Sequence, residues 1–340
     1  MSRRGLDRPI FFVGMPRSGT TLIFEAFAAR RDIAWLSQHL ERMPSLPALA
    51  ALSRLADVTP AMRRSIHRSD QRRPWVERLR VGPVEAYSFW ERCCGERFRY
   101  DYLLGAEATP RERDCLTSKL TKVVRYQGKP RFAAKITGPG RIAYLSSIFP
   151  DARFINVIRD GRAVVQSLMR VPFWQRRDRM HTPAWRNGLT SEDYEDWREK
   201  GGSPVALAAV QWRRVTQSTR DEGARHAPDR YAEVHYERFV EDPAAVLDAI
   251  AGFCGLPPDP EAEGFLATRF QLQDMNFQWR DRLSATDVAA LHAILGDHLE
   301  AFGYEVDPPR LRPDVPLIDQ PWAANAGDAP SQVAGAPPQS

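Results

Sequence analysis

The 340-residue chain sets 48 lysines and arginines against 43 aspartates and glutamates, for a net charge of +5, with 43% hydrophobic residues. That is enough apolar material for one large α/β domain or two modest ones. The small cationic excess suits an anionic small ligand or an acidic acceptor and does not by itself indicate nucleic acid.

No stretch of about 18 apolar residues occurs, so no transmembrane segment is expected and the chain reads as cytoplasmic. Cys93, Cys94, Cys115 and Cys254 form no C-x-x-C pair, which argues against a zinc site or a disulfide framework and predicts free buried thiols. Arginine runs such as Arg63-Arg64 and Arg72-Arg73 read as solvated helix faces.

In chain order, short apolar runs at 10–13, 132–136, 154–158 and 231–236 predict strands buried on both faces, as in a parallel sheet. Helices are predicted at 18–30, 141–149, 162–170, 205–225, 243–254 and 286–302. Asp242 before Pro243 and the Ser284–Asp287 box mark two helix starts. Residues 36–102 carry no clear strand and read as a helical insertion over the sheet. A second insertion, 171–204, holds Trp174, Trp185, Tyr194 and Trp197 among many charges; these aromatics fit an acceptor cleft, a lid or local packing equally well. The whole is read as a single domain over 1–318. A Pro/Ala/Gly-rich tail, 319–340, lacks the apolar content to pack.

The strongest local signal is the segment from Phe11 to Ile23, where a strand runs through Gly14-Met15-Pro16-Arg17-Ser18-Gly19-Thr20-Thr21 into a helix. Backbone N–H groups at such a turn and helix start form a phosphate site. The two glycines keep the spacing of the nucleoside-triphosphate loop, but Thr20 stands where its lysine belongs and the cation is Arg17. A loop without that lysine is poorly equipped for β- and γ-phosphates, though it can hold a 5′-phosphate bearing a sulfate. Farther on, Phe154-Ile155-Asn156-Val157-Ile158-Arg159-Asp160-Gly161-Arg162 repeats the strand-to-helix turn. Arg159 can fork onto a phosphate, and Ser167, about two helical turns on, adds a hydroxyl.

Together the P-R-S-G-T-T loop and the R-D-G-R-A-V-V-Q-S segment resemble the sulfotransferases that use 3′-phosphoadenosine 5′-phosphosulfate (PAPS), over residues 9–304. The resemblance implies a P-loop-like three-layer α/β/α fold with a central parallel sheet, and sulfuryl transfer to a hydroxyl or amine without a metal. It implies that Arg17, Ser18, Gly19, Thr20 and Thr21 hold the 5′-phosphosulfate, and that Arg159 and Ser167 hold the 3′-phosphate. Lys135, in a strand followed by Thr137-Gly138-Pro139, resembles the family's strand lysine. Tyr236, opening Y-E-x-x-x-x-x-P, and Trp279 and Arg280, where members place a loop over the nucleotide, are further donor contacts. The family's glycine-rich form of that loop is absent here.

For the general base, Glu85 fits a P-x-E-x-x-x-x-W pattern of bacterial members, with His39 and Glu41 as rivals. His235 reads as a satisfied core histidine, and His292 and His298 lack partners at metal spacing. Two other readings stay open: a P-loop kinase or NTPase, for which Asp160 would be the magnesium ligand, and a non-catalytic nucleotide or nucleic-acid binder. The acceptor is unassigned among small molecules, glycans and lipids, as is the subunit count.

Overall fold

In a computed structural model the structure describes residues 6–57, 82–175, 180–259 and 276–322. The Arg63-Arg64 and Arg72-Arg73 pairs, part of the first insertion and the tail from residue 323 lie outside the described residues.

The core is a parallel sheet in which β1 (Ile10–Gly14) is flanked by β3 (Arg131–Thr137) on one side and β4 (Arg153–Ile158) on the other. β2 (Ile33–Ala34) and β5 (Tyr231–His235) form its edges, giving the order β2-β3-β1-β4-β5. Every residue of β1 is buried. Alternation along the strand explains why: Phe11 and Val13 point into one core and Ile10 and Phe12 into the other. An apolar run of this kind is stable only in a strand covered on both faces.

Helix α1 (Thr20–Ala28) leaves β1 and covers one face with Ile23, Phe24 and Phe27. Chain order moves from β1 outward to β2 and β3, then returns across β1 to β4 and β5. The carboxyl ends of β1, β3 and β4 therefore meet where the winding reverses, the crevice in which open α/β sheets bind ligands.

The first insertion contributes α2 (Gln38–Arg42), a 3-10 helix (Pro47–Asp57), α3 (Tyr87–Cys94) and α4 (Arg97–Tyr100). They are followed by α5 (Pro110–Gln127), an 18-residue helix that the sequence reading did not place. Its start is well marked: the Thr109 hydroxyl accepts from the Glu112 N–H while the Glu112 carboxylate accepts from the Thr109 N–H.

The remaining elements are α6 (Ile142–Ile148), α7 (Gly161–Leu168), α8 (Ser191–Glu199), α9 (Pro204–His226), α10 (Tyr236–Glu241), α11 (Pro243–Phe253), α12 (Trp279–Arg282) and α13 (Ala285–Ala301). A short antiparallel pair, β6 (Tyr304–Glu305) and β7 (Arg310–Leu311), closes the described fold. Helices α7, α9 and α13 share a third core around Trp212, Val164 and Leu295.

Three expectations need correction. Cys93 and Cys115 are not free thiols: they form a disulfide joining α3 to α5, while Cys94 and Cys254 are free and buried. The pairing is invisible in sequence because one of its two helices was not placed. The packed chain also runs past residue 318: Asp319 exchanges backbone hydrogen bonds with Glu233, and the Trp322 ring lies 5.2 Å from that of Tyr231. Asp160 is unsuited to magnesium, because its carboxylate caps α7 at the Arg162 N–H (2.9 Å) and takes a forked contact from the fully buried Arg162 guanidinium (2.7 and 3.0 Å).

His235 is a core histidine: its Nε2 is 3.0 Å from the Phe302 carbonyl, and burial pushes its pKa down to about 4.

The disulfide closes a sequence separation of 22 residues, so the double variant Cys93→Ser/Cys115→Ser should lose about 3 kcal/mol of stability in denaturant melts. Unfolded, unreduced protein should show only the two free thiols of Cys94 and Cys254 to an alkylating reagent; four would remove the cross-link.

Candidate active site

The phosphate turn is shaped by three left-handed residues in sequence order. Gly14 has φ 143°, Arg17 φ 76° and Gly19 φ 87°. A Cβ on Gly14 would stand 2.4 Å from the Val157 carbonyl, and one on Gly19 would stand 2.3 Å from the Tyr236 ring. Only glycine lets the turn lie this close to β4 and α10. Arg17 adopts the same region despite its side chain, which costs on the order of 1–3 kcal/mol.

Helix α1 begins at Thr20 with no side-chain cap and no acid in its first turn, so its amino end presents backbone donors and a positive dipole. The Ser18 Oγ and Thr20 Oγ1 are buried without a hydrogen-bond partner. Such orphaned donors cost about 1–3 kcal/mol each, and an oxyanion in the turn would satisfy them.

The second turn lies directly beside the first. Arg17 Nε donates to Ser167 Oγ at 2.9 Å, and Arg159 Nη1 donates to the Arg17 carbonyl at 3.2 Å. Arg159 is 9% exposed and stacks over the Tyr236 ring at 4.3 Å. Burial, then the Arg159 charge, lower the pKa of Arg17. Two guanidinium groups thus share one crevice, and a polyanion is the natural counter-charge.

A cavity of about 450 Å³ is lined here by Arg17, Arg159, Gln166, Ser167, Tyr236 and Arg282. The two phosphate motifs therefore converge. Trp279 and Arg280 do not line this cavity: Trp279 is buried between the Arg162 guanidinium and the His292 ring, and Arg280 is exposed. In their place Gln278 and Arg282 face the cavity, and Asn276 accepts a 2.7 Å hydrogen bond from Arg159 Nε. The sequence reading looked to the right stretch but missed these three residues, which carry no motif of their own.

A second cavity of about 450 Å³ opens on the other side of Arg17. Its polar floor is Thr21, Glu85 and Thr137, and its walls include Tyr87, Tyr100, Phe173 and Trp185. Lys135, near the end of β3 and only 8% exposed, contacts two residues that line this cavity. Its Nζ donates to Thr21 Oγ1 at 2.6 Å and is paired with Glu85 Oε1 at 3.3 Å. Thr137 also donates to Glu85 Oε1, at 2.8 Å. Lys135 thus bridges the Glu85 carboxylate and Thr21 of the turn.

The rival bases are placed elsewhere. Glu41 accepts from both the N–H and the hydroxyl of Ser88, each at 2.9 Å, and so caps α3, which has no cap of its own at Ala86. His39, two residues before Glu41 on α2, does not line the cavity. Of the insertion aromatics, Trp185 lines the cavity, Trp174 is buried behind it, and Trp197 donates to the Ser203 carbonyl. Among the described residues no group of three His, Cys, Asp or Glu is placed to hold a metal ion.

With this geometry in hand, comparison with known proteins gives one consistent result. A model described as "Sulfotransferase family" matches residues 9–260. Among curated relatives, protein-tyrosine sulfotransferase 1 of Danio rerio is 24% identical over 261 residues, 74% of this chain and 54% of its own length. The omega-hydroxy-beta-dihydromenaquinone-9 sulfotransferase Stf3 of Mycobacterium tuberculosis is 24% identical over 334 residues, 91% of this chain and 79% of its own. The chain thus spans about half of the first relative and most of the second. Among solved structures, sulfotransferase STF9 from Mycobacterium avium superposes with a TM-score of 0.55 at 20% identity, covering 88% of this chain and 78% of that one, which shows the fold.

The geometry gives Glu41 a structural task that can be read independently of chemistry. Glu41→Ala removes two hydrogen bonds and the only cap seen on α3, and should lower stability by about 1–2 kcal/mol in thermal melts. Unchanged melting would remove the capping role.

Proposed function

Since the chain belongs to the sulfotransferase family, we propose that it transfers a sulfuryl group from PAPS to an acceptor hydroxyl or amine, with Arg17 at the junction of a donor cavity and an acceptor cavity. The observation that carries this reading is that the two cavities share Arg17 and Thr21 lies on the acceptor side of it, so the phosphate turn separates them by one side chain. The 5′-phosphosulfate lies in the turn from Arg17 to Thr21. The 3′-phosphate lies on Arg159 and Ser167, whose hydroxyl Arg17 already marks. Tyr236, over which Arg159 is stacked, walls the same cavity.

The reaction is an in-line displacement at sulfur. Glu85 takes the acceptor proton, the acceptor oxygen or nitrogen bonds to sulfur, and the bond from sulfur to the 5′-phosphate oxygen breaks. Adenosine 3′,5′-bisphosphate leaves with the electron pair. Charge accumulates on the oxygen that leaves and on the peripheral sulfuryl oxygens, where Arg17, Lys135 and the start of α1 supply fixed positive charge. Lys135 touches both the base and the turn, so it links proton removal to the leaving side. This assignment needs no metal to supply positive charge.

The acceptor cavity supports a hydroxyl carried on a flat or apolar frame. Tyr87, Tyr100, Phe173 and Trp185 offer ring faces, while Glu85, Thr137 and Arg99 supply the polar contacts. The relatives' names, one for protein tyrosine and one for an omega-hydroxy-dihydromenaquinone, share an acceptor hydroxyl and little else.

Among the described residues no helix is long and apolar enough to cross a membrane. The cytoplasmic placement expected from the sequence stands in tension with the Cys93–Cys115 disulfide, because such bonds persist mainly in oxidising compartments.

Adenosine 3′,5′-bisphosphate should raise the melting temperature with a metal chelator present, whereas ATP with magnesium should not; equal stabilisation by both would overturn the donor assignment. With labelled PAPS and a metabolite extract as acceptor pool, Glu85→Gln should lower turnover by roughly 10²–10⁴-fold while leaving bisphosphate affinity unchanged. Full turnover by that variant would move the base elsewhere.

A further inference from the structure

Arg159 is held from behind by a chain of contacts that neither phosphate motif contains. Its Nε donates to Asn276 Oδ1 at 2.7 Å. Asn276 Nδ2 donates to Glu237 Oε1 at 2.6 Å. Glu237 also accepts from the Asp160 N–H at 3.2 Å, and its other oxygen accepts from the Tyr304 hydroxyl at 3.0 Å.

The amide of Asn276 is suited to this place by polarity. A guanidinium only donates and a carboxylate only accepts, so an amide between them must turn its oxygen to the arginine and its nitrogen to the acid. An aspartate in its position would set two carboxylates together, and a leucine would take one hydrogen-bond partner from each neighbour. Asn276 is 6% exposed, so these hydrogen bonds are sheltered from water.

Arg159 makes two further contacts. Tyr236 stacks on the face of the guanidinium at 4.3 Å, and the Arg17 carbonyl takes Nη1 at 3.2 Å.

We propose that Asn276 and Glu237 are positioning residues for donor recognition: Glu237 orients the Asn276 amide, and Asn276 turns the Arg159 guanidinium toward the 3′-phosphate. This rests on the reading of Arg159 as the 3′-phosphate ligand.

Two further observations fit. Glu237 borders a cavity of about 290 Å³ shared with Asn276, Tyr304 and Asp160. Burial, then the Asp160 charge, push its pKa up to about 7.

The test is the ratio of affinities for adenosine 3′,5′-bisphosphate and adenosine 5′-monophosphate, measured by calorimetry on wild type, Arg159→Ala, Asn276→Ala and Glu237→Gln. Wild type should prefer the bisphosphate, and Arg159→Ala should abolish most of that preference. Asn276→Ala should reduce the ratio about tenfold or more, with monophosphate affinity unchanged. Glu237→Gln keeps the shape and can still accept from the amide, so it should reduce the ratio less than Asn276→Ala; it also serves if the alanine variant does not fold.

A structural role alone would weaken both nucleotides equally and leave the ratio unmoved. If Arg159→Ala collapses the ratio and neither Asn276→Ala nor Glu237→Gln changes it, the positioning role is overturned and the reading of Arg159 stands. If wild type shows no preference, or Arg159→Ala keeps it, the reading of Arg159 falls and the positioning role falls with it.

Discussion

Two guanidinium groups, Arg17 and Arg159, are held in one crevice despite their like charge, and the proposed chemistry depends on them. Arg159 touches the backbone of Arg17, and its charge contributes to lowering the Arg17 pKa. In water the pair would separate. Here the strand pairing forbids it, because β1 and β4 lie side by side and each arginine stands just beyond the end of its strand. The register pairs Val13 with Asn156, and the turns that follow are therefore neighbours. The sheet thus concentrates positive charge at the point where its winding reverses. Such preorganised charge stabilises an oxyanion without having to rearrange when the anion arrives.

The rest of the crevice is arranged around that pair. The left-handed residues Gly14 and Gly19 let the turn approach Val157 and Tyr236 closely enough for both arginines to reach the same space. Lys135 and Glu85 lie on the proposed acceptor side, and Asn276 and Glu237 on the proposed donor side. Arg159 is therefore backed by Asn276, which does not line the cavity shared by Arg17 and Arg159, while Lys135 is paired with Glu85 and Arg17 with Ser167. The arrangement keeps the cations oriented while leaving their front edges to the substrate. Among the described residues the insertions supply the ring faces of Tyr87, Tyr100, Phe173 and Trp185.

Much of the sheet was legible because its strands are apolar on both faces, and nothing but a buried parallel strand fits runs such as Ile10-Phe11-Phe12-Val13. The phosphate turn was legible because glycine at fixed spacing has few other uses before a helix. Other parts were not. Strand β2 has two residues and leaves no pattern. Helix α5 was missed although Thr109-Pro110 and Glu112 spell a capping box, because its face is amphipathic through only a few buried residues, Leu116, Leu120 and Val123. The disulfide depends on that helix and was lost with it. The acceptor walls come from residues as far apart as Tyr87 and Trp185, which only the fold brings together. Asn276 is a single polar residue whose importance comes entirely from what stands on either side of it.

The most direct measurement is a crystal structure of the protein with adenosine 3′,5′-bisphosphate. The account places one phosphate within hydrogen-bonding distance of both the Arg159 guanidinium and the Ser167 hydroxyl, and the other on the backbone N–H groups between Ser18 and Thr21. A nucleotide bound with neither phosphate touching Arg159, or bound outside the crevice between β1 and β4, would contradict it.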